Sequence, residues 1–311
     1  MQDQKGKPIT NLAIIRGNSA KVSKDGHISY DPSQIDSELN NLSTKVNIFD
    51  QVRLRSEDHF NNGQLEFTFK YQHHGTSIAV LLDYVEGQAV FCGYSLPKRK
   101  FVIAVIDGTN WKILDEAGKL DDYDLDTKIH FQITIKGSQI KLLINNIILC
   151  SANISIKDGP IELLIESAGP CEIHNIVKHD SDFKPSAFVV MQFSKEYNDL
   201  YEEVIKPVTE KFGYECVRAD DKYASTPILN DIIQSIKDSS VVVAEITPDN
   251  PNVFYEIGYS HAIGKPTILL CDANRDKLPF DLSGFRTLFY ENTIVGKKKV
   301  ENSLMKYLER I

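Results

Sequence analysis

From Asn11 to about His179, apolar and polar residues alternate in short stretches. Gln64-Leu65-Glu66-Phe67-Thr68-Phe69-Lys70 places Leu65, Phe67 and Phe69 on one face, and Ile129-His130-Phe131-Gln132-Ile133-Thr134-Ile135 repeats the pattern. A period of two is that of a strand with one face buried. Lys141 to Cys150 and Ile161 to Ile165 read as further strands. Turn signals separate them at Asn62-Gly63, Asp107-Gly108, Lys136-Gly137-Ser138, Asn145-Asn146 and Asp158-Gly159-Pro160. No stretch here carries a helical period. Many short strands joined by tight turns predict an antiparallel sandwich over residues 1–180.

After His179 the pattern changes. Ser181-Asp182-Phe183-Lys184-Pro185 is a short polar linker. Ala187 to Phe193 is then a continuous apolar run, as a strand buried on both faces requires. Tyr197 to Lys211 has Leu200, Val204 and Val208 at helical spacing, and Ile228 to Lys237 has Ile228, Ile232 and Ile236. Strands are predicted at Tyr214–Ala219, Ser240–Glu245, Thr267–Cys271 and Thr287–Tyr290. Helices are predicted at Asn252–Ile263, stopped by Gly264-Lys265-Pro266, and at Lys299–Arg310. Strands alternating with helices over residues 185–311 predict a doubly wound parallel sheet, whose ligand site lies beyond the carboxyl ends of its strands.

Composition narrows the class. The chain has 311 residues, 42% hydrophobic and 25% charged, with net charge -8. That suits two soluble domains and argues against direct nucleic-acid binding, which favours a basic surface. The five cysteines, Cys92, Cys150, Cys171, Cys216 and Cys271, are scattered and form no CxxC pair, so reduced structural thiols are expected rather than a disulfide frame or a zinc site. The opening MQDQKGKPIT has no apolar h-region, and no apolar run has the length of a membrane span. A cytoplasmic protein without a membrane partner is expected.

The segment most suggestive of chemistry is Glu245 to Tyr259. It begins where the third strand of the parallel sheet ends. Asn250 suits an N-cap and Pro251 the first helical position, which places Glu256 in the second turn. Free N–H groups at such a helix start can hold a phosphate or a ribose hydroxyl. Cleavage of a ribosyl N-glycosidic bond builds positive charge on the sugar, and a carboxylate beside the anomeric carbon can stabilise it or attack. Nicotinamide leaves NAD without needing a proton, whereas a neutral base calls for a general acid. Asp249 and Glu245 are the nearest candidates for that acid.

NPNVFYEIGYSHAIGKPTILL resembles a segment of TIR-like and nucleoside 2-deoxyribosyltransferase-like nucleotide-binding proteins. FVVMQFSKEYNDLYEEVIKPVTEKFGYECVRAD is similar to the opening strand, helix and second strand of that family, and Leu278 to Phe289 to its closing segment. The resemblance implies that Glu256 is the catalytic carboxylate. It adds a pocket of Gln192, Phe193, Ser194, Arg218, Asp220, Glu245, Asp249, Asn250 and Asn252 for a nucleotide such as NAD, bound as substrate with no cofactor. The family's ADLT element stands here as Ala244-Glu245-Ile246-Thr247, with Glu for Asp, and Gln192 occupies a position where relatives often carry Pro. In the N-terminal half, KIHFQITIKGSQIKLLINNIILCSANISIKDGPIELLIESAGPCEIHNIVKH resembles the end of a concanavalin-like jelly roll.

Together these resemblances imply a Rossmann-like N-glycosidase fused to a sensing or assembly domain, activated by self-association or by a glycan or small-molecule signal, in the manner of antiphage effectors. The alternatives are a non-catalytic nucleotide-binding module and a deoxyribosyltransferase proper. Other residues read as structural. Asp249 and Asn250 suit capping, Arg218 the surface, Tyr255 and Tyr259 packing, His261 the helix end, and Lys297-Lys298-Lys299 a solvated helix start. His73-His74 alternates across a strand and makes a poor metal site. Trp111, Tyr84, Phe91 and Tyr94 read as sandwich core before a sugar-binding face.

Overall fold

The computed structural model describes residues 6–34, 50–85, 87–218, 228–275 and 277–309. It divides into two compact units, one of residues 1–135, 140–152 and 156–182 and the other of residues 136–139, 153–155 and 183–311. The first is an antiparallel sandwich and the second a parallel α/β unit, as the periodicities predict.

The sandwich is built from β1 (Lys7–Pro8), β2 (Leu12–Arg16), β3 (Ala20–Val22), β4 (Ile28–Tyr30), β5 (Gln51–His59), β6 (Gly63–Tyr71), β7 (Thr76–Val85), β8 (Gln88–Ser95), β9 (Lys100–Asp107), β10 (Asn110–Ala117), β11 (Ile129–Lys136), β12 (Gln139–Ile144), β13 (Ile147–Asn153), β14 (Pro160–Ser167) and β15 (Cys171–His179). One sheet runs β13-β12-β11-β6-β15-β4-β3, with β1 also on β15, and the other β10-β9-β8-β7-β14-β5-β2. Leu65, Phe67 and Phe69 are buried as their alternation requires. Phe131 meets Phe67 of its own sheet at 5.0 Å between ring centroids and Phe101 of the facing sheet at 5.8 Å. Asn145 and Asn146 both take positive φ, 50° and 66°, so Lys141–Cys150 is the heart of a β12–β13 hairpin with a two-residue turn.

Two expectations are corrected here. His73 and His74 lie in the turn between β6 and β7, not in a strand, because β6 ends at Tyr71. The four aromatics also separate. Tyr94 packs edge-on to Phe101 inside the sandwich, whereas Tyr84, Phe91 and Trp111 gather with Leu81 and Leu164 on the other face of their sheet. Cross-strand partners explain this: Tyr94 lies opposite Ile78, and Phe91 opposite Leu81, one residue pair out of phase.

The second unit holds β16 (Ser186–Val190), α1 (Lys195–Leu200), a π-helical turn (Tyr201–Ile205), α2 (Lys206–Lys211), β17 (Glu215–Arg218), α3 (Ile228–Asp238), β18 (Val241–Glu245), α4 (Pro251–Ala262), β19 (Thr267–Asp272), β20 (Thr287–Tyr290) and α5 (Ile294–Leu308). The π-helical turn has a covalent reason. Pro207 lacks an N–H and its ring crowds the carbonyl four residues back, so the helix widens just before it. The strands are parallel in the order β17-β16-β18-β19-β20. Leu200, Val204 and Val208 pack with α5 on one face of the sheet, and Ile236, Val253 and Ile257 of α3 and α4 on the other. The first strand is shorter than its apolar run, since Met191 to Phe193 leave the sheet as loop. The last helix starts five residues earlier than predicted, at Ile294, where Thr293 accepts from the Gly296 N–H. The three lysines therefore lie inside it, Lys297 on Glu203 and Lys298 on Glu301. Among the described residues no helix is long and apolar enough to cross a membrane.

Candidate active site at the carboxyl edge of the parallel sheet

In this strand order the chain leaves β16 toward β17 on one side and reaches β18, β19 and β20 on the other. The crevice of such a sheet opens at that reversal, beyond the ends of β16 and β18. The loop Gln192-Phe193-Ser194 leaves one wall and Glu245-Ile246-Thr247 the other.

Glu256 stands in the second turn of α4, the helix that follows β18. At about 100° per residue it sits roughly 60° off Val253, on the flank of the stripe that buries Val253, Ile257 and Ser260. Its carboxyl is half-buried, has no hydrogen-bond or ion-pair partner among the described residues, and is pushed by burial up to about 7.

Glu245 ends β18 and is 1% exposed. One carboxyl oxygen accepts the Thr247 N–H at 2.8 Å, and the other, also buried, has no hydrogen bond. Burial raises this carboxyl to about 8 against the opposing pull of the Thr247 bond. At neutral pH it is therefore largely a protonated acid. The Tyr290 hydroxyl, at the end of β20, approaches it without reaching hydrogen-bond geometry, and its pKa is raised by burial first and by the Glu245 charge second. Asp272, 8% exposed at the end of β19, accepts from the Asn274 N–H at 2.8 Å and donates its own N–H to the Thr247 hydroxyl at 2.9 Å. Three neighbouring strands thus each end on a buried oxygen-bearing side chain.

Asp249 does not stand alone. Its carboxylate pairs with Arg275, whose guanidinium also donates to the Ile246 carbonyl at 2.6 Å and the Lys277 carbonyl at 2.8 Å. Asp249 does not cap the helix. Asn250 does, accepting the Asn252 N–H at 3.0 Å, and Asn252 lies exposed in the first turn. Arg218 corrects a second expectation. It is not on the surface but 7% exposed, donating to the Asn198 amide oxygen at 2.8 Å and lying 4.2 Å over the Tyr201 ring and 5.4 Å from that of Phe193. Phe193 itself is 53% exposed, and Gln192 and Ser194 are half-buried beside it. An anchored guanidinium beside an open ring can hold an anionic, planar ligand. Asp220 lies outside the described residues. Tyr255 faces solvent instead of packing, while Tyr259 does pack, and His261 stacks on Phe285 at 3.9 Å.

No protein-family model matches the chain, and no curated protein matches it. Solved structures match in fold. A carbohydrate binding module, CBM66, from Bacillus subtilis is 10% identical over 55% of this chain and 97% of its own, with a TM-score of 0.42. The Bacillus licheniformis beta-glucanase is 12% identical over 58% of this chain and all of its own, with a TM-score of 0.40. A Bacillus subtilis protein with a galectin-like fold is 12% identical over 57% of this chain and 97% of its own, with a TM-score of 0.38.

Asp272, Tyr290, Arg275 and Asn198 were missed by motif reading. Tyr290 had a usable signal, being the last residue of a predicted strand at the edge where such sheets bind, and Asp272 lies one residue past the predicted strand Thr267–Cys271. Arg275 and Asn198 had none, since their roles depend on what the fold sets against them.

Proposed function

We propose that the second unit is a TIR-like N-glycosidase acting on NAD or a related nucleotide, with Glu256 as the catalytic carboxylate. The observation that carries this is the unpaired, half-buried Glu256 carboxyl in the second turn of the helix that follows β18. Ionised, it stabilises positive charge on a ribosyl ring or attacks the anomeric carbon, and the leaving nicotinamide needs no proton. Arg218 and Phe193 hold the phosphate and a planar group. The sandwich serves as the sensing or assembly part, and self-association or a glycan-like signal turns the enzyme on.

One observation favours a second reading. Glu245 is an acid that keeps its proton at neutral pH, which suits departure of a neutral base and therefore a nucleoside deoxyribosyltransferase. One assay separates the two from a pure binder. Purified full-length protein, wild type beside Glu256→Gln, is incubated over a range of concentrations with NAD, and separately with a deoxynucleoside and a free base. Nicotinamide release that climbs with protein concentration and vanishes in the variant is the expected result. Base exchange without nicotinamide release selects the transferase. Nucleotide binding that is equal in both proteins, with no turnover of either substrate, overturns the catalytic assignment.

A further inference from the structure

The sandwich carries a cluster that sequence spacing hides. Glu172 and His174 stand two apart on β15 and so share one face of their sheet. β4 pairs antiparallel with β15, Ser29 opposite Glu172 and Ile28 opposite Ile173, which puts His27, the residue before β4, opposite His174. The two imidazoles stack at 4.1 Å between centroids with planes 10° apart. His174 Nε2 lies 3.1 Å from a Glu172 carboxyl oxygen. One donor atom from each of the three residues falls within 4.8 Å of the other two.

His27 makes this more than a chance meeting. Its Nε2 is buried from solvent yet has no hydrogen-bond partner. A buried ring nitrogen without a partner is uncommon in a folded protein and calls for a missing ligand. The backbone beneath it is firmly set. The His27 carbonyl accepts from the Ser23 N–H at 2.9 Å and the Ser23 hydroxyl at 3.0 Å, across a turn in which Gly26 takes φ 80°.

We propose that His27, Glu172 and His174 form a three-ligand site for a divalent transition metal of the zinc class. Two imidazoles and one carboxylate are the donor set such an ion prefers over magnesium or calcium, which take oxygen cages. Zinc–ligand bonds of about 2.1 Å in tetrahedral geometry place donors roughly 3.4 Å apart. The rings therefore tilt out of their stack and close by about an ångström, a side-chain movement that leaves the strand register intact. The ion replaces the His174–Glu172 contact, satisfies His27 Nε2 and keeps a fourth position open to water or to a donor from a ligand. It also ties the β3–β4 hairpin to β15 at the edge of the sheet.

The test uses full-length protein stripped with a chelator and desalted. Zn2+ is titrated by calorimetry, and Co2+ by its visible absorption, which reports the coordination geometry. One equivalent per chain is expected, lost in His27→Ala and in His174→Ala and weakened in Glu172→Gln. Trp111 fluorescence confirms that each variant's sandwich is folded, and His174→Gln replaces any variant that is not. Absence of stoichiometric Zn2+ and Co2+ binding in the folded wild type overturns the site. So does one equivalent that persists in the His27→Ala/His174→Ala double variant.

Discussion

Replacing Glu245 by glutamine should lower the stability of the second unit slightly near pH 4.5 and raise it above wild type by pH 8. The folded carboxyl titrates near 8 and the ordinary value is 4.5. Between these two values the unfolded chain has released the proton and the folded chain has not. Stability therefore falls as pH rises through the window, at about 1.4 kcal/mol for each pH unit. The loss is about 3 kcal/mol by pH 7 and about 5 kcal/mol by pH 8 and above. Glutamine has no such window. Its amide oxygen can still accept the Thr247 N–H, and its NH2 group takes the place of the unpartnered oxygen at a cost of about 1–3 kcal/mol that does not vary with pH. Glu256 imposes a loss of the same sign between 4.5 and about 7, but it does so in both proteins and cancels in the comparison. Urea unfolding at pH 4.5, 6, 7 and 8.5, followed by ellipticity at 222 nm, reads the right unit, because every described α-helix lies in it. The difference between variant and wild type should climb by several kcal/mol across the series. Parallel curves would refute the reasoning and show that Glu245 reaches solvent or a cation when folded.

Two further substitutions test other parts of the structure. Asn250→Ala removes the acceptor of the Asn252 N–H and should cost the same unit about 1 kcal/mol in the same assay, while no loss would mean that Asp249 or water caps α4 as well. In the sandwich, Glu162 is 0% exposed and pairs with both Arg53 and Arg55, and Arg53 lies 4.2 Å over the Tyr84 ring. Glu162→Ala leaves two guanidinium groups without their buried anion and should cost about 3–5 kcal/mol by urea unfolding followed through Trp111, the sole tryptophan; a change below 1 kcal/mol would show that water or another carboxylate takes over.

Sequence alone determined both architectures, because each is written in local periodicity. Alternation at period two in Leu65, Phe67 and Phe69 demands a one-sided strand, and the unbroken run from Ala187 demands a strand covered on both faces. The Asn250-Pro251 start and the Gly264 stop bound α4 within a residue, since caps answer the unpaired backbone groups of that helix and nothing more distant. The helix turn holding Glu256 followed from the same local signals. Tertiary structure alone decided what surrounds these residues. Arg218 looked like a surface cation until Asn198, Tyr201 and Phe193 closed round it, and the pairing of Asp249 with Arg275, 26 residues away, has no local signal. Tyr94 and Phe91 belong to one strand, and only the pairing with β7 settles which of them faces the core. His27 and His174 meet across 147 positions of sequence through one register of β4 on β15, and no local pattern encodes a register between distant strands.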